Sequence, residues 1–128
     1  MTEQRNETVP YDFSVTLQGL PPTQVVMVMT TAPDLMLAKH IAHHLVEDGV
    51  VACANLGQVC LSMYMWKGEL QGDEEVPLTF KTTVARVPEL AERLRRAHPY
   101  DLPELLCLPV LGGYASYLDW VRTSTATG

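Results

Sequence analysis

The run QVVMVMTTAPDLMLAKHIAHHLVEDGVVACANL, Gln24 to Leu56, decides the fold. Its first eight residues are β-prone without alternation, the pattern of a strand covered on both faces. Ala38, Ile41, Ala42 and Leu45 then recur at helical spacing, and Gly49 stands where a helix terminator belongs. A second β-prone stretch, VACANL, follows at once, so the run predicts a strand, a helix and a strand.

Downstream, VACANLGQVCLSMYMW is interrupted at Gly57, KGELQGDEE supplies two glycines and four acids for a hairpin tip, and VPLTFKTT returns as the partner strand. Pro77 cannot donate a ladder hydrogen bond, which predicts an edge or bulged strand there. Pro88 suits a first helical turn, with Val87, Leu90, Ala91 and Leu94 facing inward and Glu89, Glu92, Arg93, Arg95 and Arg96 outward. His98-Pro99 stops that helix. LPELLCLPVL reads as a fourth buried strand, Gly112-Gly113 as a turn, and YASYLDWV as a short C-terminal helix. The order β-α-β-β-α-β plus a small helix predicts an α+β, ferredoxin-like sandwich with its helices on one face of a mostly antiparallel sheet. The other face is too apolar to stay wet and too wide for the last helix, so self-association is expected.

Residues 24–128 therefore form one domain. Residues 1–23 are an extension, partly flexible: the first ten are polar, and Tyr11, Phe13, Val15 and Leu17 then alternate with polar residues as in a strand before Gly19 and Pro21-Pro22. A net charge of −6, with basic residues clustered only at Arg93, Arg95 and Arg96, argues against nucleic acid as a partner. No apolar run approaches the roughly 20 residues of a membrane span. Three cysteines without close pairs do not make a disulfide framework, so reduced thiols and a cytoplasmic location are expected. P-loop, G-x-G-x-x-G, G-x-S-x-G, H-E-x-x-H and C-x-x-C patterns are all absent, which gives catalysis little weight.

TTAPDLMLAKHIAHHLVEDGVVACAN, SMYMWKGEL, EEVPLTFKTT and HPYDLPELLCLPV…GGYASYLDW together resemble, in order and spacing, the CutA divalent-cation tolerance family. That resemblance spans about Val25 to Ser124. It implies a ferredoxin-like homotrimer similar to the PII signalling proteins, a link to copper and divalent-metal tolerance, and no established reaction. Carried over by position, it implies copper ligands at Cys53, His98 and Glu104; zinc or another divalent cation would suit similar donors. Some relatives carry a cysteine where this chain has Thr30, so the softest extra ligand is missing here.

Each residue also has a plainer role. Cys53 can pack as a small hydrophobe, His98 can close a helix end, and Asp101 can form a turn. Glu104, at a strand start, is expected to be half-buried and to need a partner: a metal, Arg93 or Arg96, or a tyrosine hydroxyl. The second and fourth strands run antiparallel, which sets Cys53 and Glu104 toward opposite ends of one subunit. An ion shared by all three ligands would then join two subunits. Thr30, Tyr64, Trp66, Lys81, Tyr100, Asp101 and Trp120 are candidates to line a cleft between subunits, their alternative being interface packing. His40 and His44 lie one helical turn apart, as a chelating pair or a solvated face, and Met27, Met29, Met63 and Met65 are thioethers for Cu(I) or packing residues. A different class stays open: a PII-like signalling or adaptor trimer that takes a small metabolite in the cleft and a protein partner at the Lys67–Glu75 hairpin.

Overall fold

The computed structural model describes residues 11–127. Strand β1 (Val25–Ala32) leads to helix α1 (Leu35–Glu47), β2 (Cys53–Leu56), β3 (Cys60–Trp66), β4 (Glu69–Thr83), α2 (Val87–Ala97), β5 (Leu106–Pro109) and α3 (Ala115–Ser124). The sheet order is β2-β4-β1-β5, every pair antiparallel, with β3 pairing to the first half of β4. This is the ferredoxin-like arrangement, its second strand broken into β2 and β3 and followed by a terminal helix.

Local chemistry sets the ends of α1. The Asp34 side chain accepts from Leu37 N–H at 2.8 Å as its N-cap. At the other end Gly49 takes φ +70°, so that Gly49 N–H donates to Val46 O and Val50 N–H to Leu45 O, which satisfies two end carbonyls and turns the chain into β2. Helices α1 and α2 cover one sheet face, where Val26, Val28, Leu78 and Phe80 meet Ile41, Leu45, Leu90 and Leu94 in the main core. The register puts Met27, Met29, Cys53, Asn55, Thr79, Lys81, Leu106 and Leu108 on the opposite face. Only one end of that face is covered, where Val121 of α3 packs with Val25 and Ala52. The expectation of cover on both faces of β1 is thus met on one side within this chain.

Several expectations are corrected. The hairpin tip is only Lys67-Gly68, at φ 51° and 81°, the left-handed pair that joins strands in a tight turn, and Leu70 to Glu75 belong to a 15-residue β4. Acidic residues on an exposed ladder resembled a loop in composition alone. Pro77 lies in a central strand rather than an edge, while the bulge expected there is present in the ladder: Gly57, Gln58 and Val59 stand opposite Val76 and Pro77. Gly57 N–H donates to Pro77 O at 2.9 Å, so the missing Pro77 N–H points into the gap between β2 and β3, where the lost donor matters least. A Cβ on Gly57 would stand 2.8 Å from Pro77 Cγ, which is why a glycine occupies the break. Strand β5 is shorter than the LPELLCLPVL run. Tyr11 to Leu17 form no strand: Val15 and Leu17 pack on the core, and residues 12–16 border a cavity of about 530 Å³ against α2 and the approach to β5. Residues 1–10, expected to be polar and partly flexible, lie outside the described residues.

Candidate metal and ligand site

His98 follows α2, where its N–H bonds Leu94 O and Pro99 prevents another helical turn. Its ring is buried. Tyr100 N–H donates to Nδ1 at 3.2 Å, so Nδ1 is unprotonated; Nε2 therefore carries the proton and donates to Thr31 O at 2.7 Å. Burial lowers the His98 pKa, only partly offset by the Thr31 contact and the charge of Glu75, and holds the ring neutral. The one nitrogen lone pair of this tautomer is already engaged by Tyr100.

Tyr100 runs alongside, its ring 4.4 Å from that of His98, and its hydroxyl donates to Glu75 Oε2 at 2.9 Å. Burial and the Glu75 carboxylate push the Tyr100 pKa far above the ordinary phenol value, so it remains a donor. Glu75 is the buried carboxylate here, 6% exposed. Its place inside GDEE gives it the composition of a loop; the signal for burial is its position directly before VPLTF.

Glu104 is an exposed residue in the loop before β5, contrary to the expectation of a half-buried strand carboxylate. Its carboxyl is nonetheless desolvated in part and close enough to Glu75 for that charge to add to a raised pKa. Neither Arg93 nor Arg96 is its partner: Arg93 pairs with Asp48 and Glu89, and Arg96 with Glu92. Thr30, wholly buried, donates from Oγ1 to Glu104 O at 2.7 Å and stitches β1 to this loop. Glu75, Tyr100 and Glu104, with Thr31, Met63 and Tyr64, line a cavity of about 370 Å³. The Tyr64 hydroxyl donates to Asp73 at 2.6 Å. The cavity is thus an oxygen-rich, acidic hollow beside a neutral imidazole, with chemistry suited to a cation.

Cys53 is elsewhere. Its register partner is Lys81, and through it Met27, whereas Glu104 precedes the Leu106–Met29 pair by two residues. Three strand spacings and four residue steps separate Cys53 from Glu104, about 20 Å. Cys53 Sγ instead lies 3.8 Å from the Tyr117 hydroxyl, whose pKa is raised chiefly by burial and then by that contact. Tyr117 and Trp120 rings sit 5.5 Å apart beside it, and Lys81 Nζ donates to Asn55 Oδ1 at 2.6 Å. Of the proposed cleft residues, Tyr64 and Tyr100 line the acidic cavity and Thr30 supports it. Lys81 and Trp120 belong to the Cys53 end, and Trp66 is 6.5 Å from Tyr11 at the hairpin. Asp101 sits in a bend, as expected of a turn residue, with Oδ2 buried and without a hydrogen-bond partner among the described residues. Among the described residues, no three His, Cys, Asp or Glu side chains converge as a metal would require. Within one chain, then, Glu104 lines the hollow, His98 stands behind its Tyr100 and Thr31 wall, and Cys53 does not reach it.

Residues 26–124 match the family described as CutA1 divalent ion tolerance protein. A Thermus thermophilus relative described as divalent-cation tolerance protein CutA is 41% identical over 99 residues, 77% of this chain and 96% of that protein. The human protein described as CutA is 39% identical over 92% of this chain, which spans 66% of that longer protein. A solved divalent cation tolerance protein, also from Thermus thermophilus, superposes with a TM-score of 0.78 at 40% identity, over 80% of this chain and 99% of that one.

Proposed function

The chain belongs to the CutA1 divalent ion tolerance family, and from that premise we propose that it serves divalent-cation tolerance by binding a metal ion, copper first, as a cytoplasmic homotrimer without catalytic turnover. The observation that carries this reading is the pairing of Glu75 with Glu104 around the cavity that Tyr100 borders, with the His98 ring packed behind Tyr100. Desolvation and the neighbouring Glu75 charge raise the proton affinity of Glu104, and a cation held between the two would relieve that repulsion.

Cys53, His98 and Glu104 are the proposed ligands. Thiolate and imidazole favour copper or zinc over magnesium. Because Cys53 stands about 20 Å from Glu104 in one chain, the thiolate must come from a neighbouring subunit. His98 must also release Tyr100 N–H before Nδ1 can coordinate, so loading would reorganise residues 98–100. The exposed apolar side chains of Leu61, Met63, Met65 and Leu70 on the β3–β4 arm, and of Leu106 and Leu108 on the open face, support assembly. The signalling alternative has no comparable observation in its favour.

The test is titration with Cu(I) and Cu(II) of wild type, Cys53→Ala and Glu104→Gln, alongside sizing in solution. Loss of Cu(I) affinity in both variants supports the shared site. Unchanged affinity removes it, and a monomer removes the trimer.

A further inference from the structure

Three of the four histidines lie on the exposed side of α1, away from the acidic cavity: His40, His43 and His44. The His40 and His44 rings, one helical turn apart, are 4.5 Å between centroids and inclined at 73°. Imidazoles at this spacing on one helix face can each turn a nitrogen toward a common ion, the same spacing that a helical H-E-x-x-H pair uses. The His43 ring stands 5.2 Å from that of His44, but its Nε2 is engaged by Glu47 at 3.4 Å, outside the groove that His40 and His44 border. The pair borders a groove of about 170 Å³ whose floor is Ile41, Leu45 and Ala97 and whose far wall is Arg93. That guanidinium would repel a cation if it were free, but Asp48 at 2.7 Å and Glu89 at 3.6 Å offset it. His44 also lies in the last turn of α1, where the helix dipole favours positive charge.

We propose that His40 and His44 form a two-nitrogen clamp on the surface of α1 for a divalent transition-metal ion, Cu(II) ahead of Ni(II) and Zn(II), with water completing the coordination. Imidazole suits these three ions, and affinity for a given nitrogen site peaks at Cu(II). With two protein ligands the ion stays exchangeable, a loading position rather than a buried store. Neutral imidazole is the ligand, so acid releases the ion. The clamp uses none of Cys53, His98 and Glu104, and does not rest on the shared-ion reading.

Cu(II) titration of the full chain, read by electron paramagnetic resonance for nitrogen coupling, tests it. His40→Ala and His44→Ala are each expected to lose the bound Cu(II) signal, while His43→Ala keeps it. All three positions are exposed on a helix, and circular dichroism checks that the fold is retained. Cu(II) kept by His40→Ala and His44→Ala, or lost by Cys53→Ala with both histidines present, would overturn the clamp. Cu(I) binding absent from wild type, with Cu(II) still dependent on His40 and His44, would leave the clamp standing and remove the shared site.

Discussion

The two faces of the sheet are built from alternate residues of the same strands and have opposite fates. On one, Val26, Val28, Leu78 and Phe80 are at most 1% exposed; on the other, Met29, Leu106 and Leu108 are 36%, 55% and 44% exposed. Two helices saturate the first face, and α3 reaches only one end of the second. The absence of alternation in β1 therefore records more apolar surface than this chain covers by itself, which is the physical ground for the proposed self-association.

The contrast predicts a graded series. Phe80→Ala opens a cavity under both helices and should cost about 3–5 kcal/mol in urea denaturation; a loss below about 1 kcal/mol would mean the helix face is not the core. Tyr100→Phe leaves the buried Glu75 carboxylate without its donor and should cost about 1–3 kcal/mol, recovered in part when Glu75→Gln is added. The His98 ring is smaller in effect and tied to pH. Its folded pKa lies below the unfolded value, so the unfolded chain binds more protons in that interval and stability falls as pH drops below about 6.5. The slope attributable to one proton is at most about 1.4 kcal/mol per pH unit, and His98→Gln should flatten it. Glu104, with its raised pKa, acts in the opposite sense, its contribution fading as pH rises from its ordinary value. Leu108→Gln, on the open face, should change the stability of the isolated chain by less than about 0.5 kcal/mol yet shift the oligomeric mass in solution. A large loss in the isolated chain would erase the distinction between the faces.

Periodicity carried the core because burial imposes it: Ala38, Ile41, Leu45, Leu90 and Leu94 are inward as their spacing requires. Composition misled where polar residues sit on a wet ladder. Leu70 to Glu74 have loop chemistry and strand geometry, since an exposed strand needs backbone pairing more than apolar side chains. Tyr11 to Leu17 show the converse, an alternating pattern used to lie against α2 without a ladder. The site was legible in its pieces but not in its grouping. His98, Tyr100 and Glu104 are near in sequence, whereas Glu75 joins them only through the long pairing of β1 with β4, and Cys53 is carried off by the register that aligns it with Lys81.

Strand β4 is 15 residues long and β2, beside its second half, only four. Mechanically it is a beam of about 50 Å, clamped in the sheet at one end and cantilevered at the other, with the Gly57–Pro77 joint at the support. Glu75 sits just outboard of that joint. A load on the free arm would therefore turn Glu75 against Tyr100 before it disturbed Phe80, so whatever grips the arm has leverage on the acidic cavity.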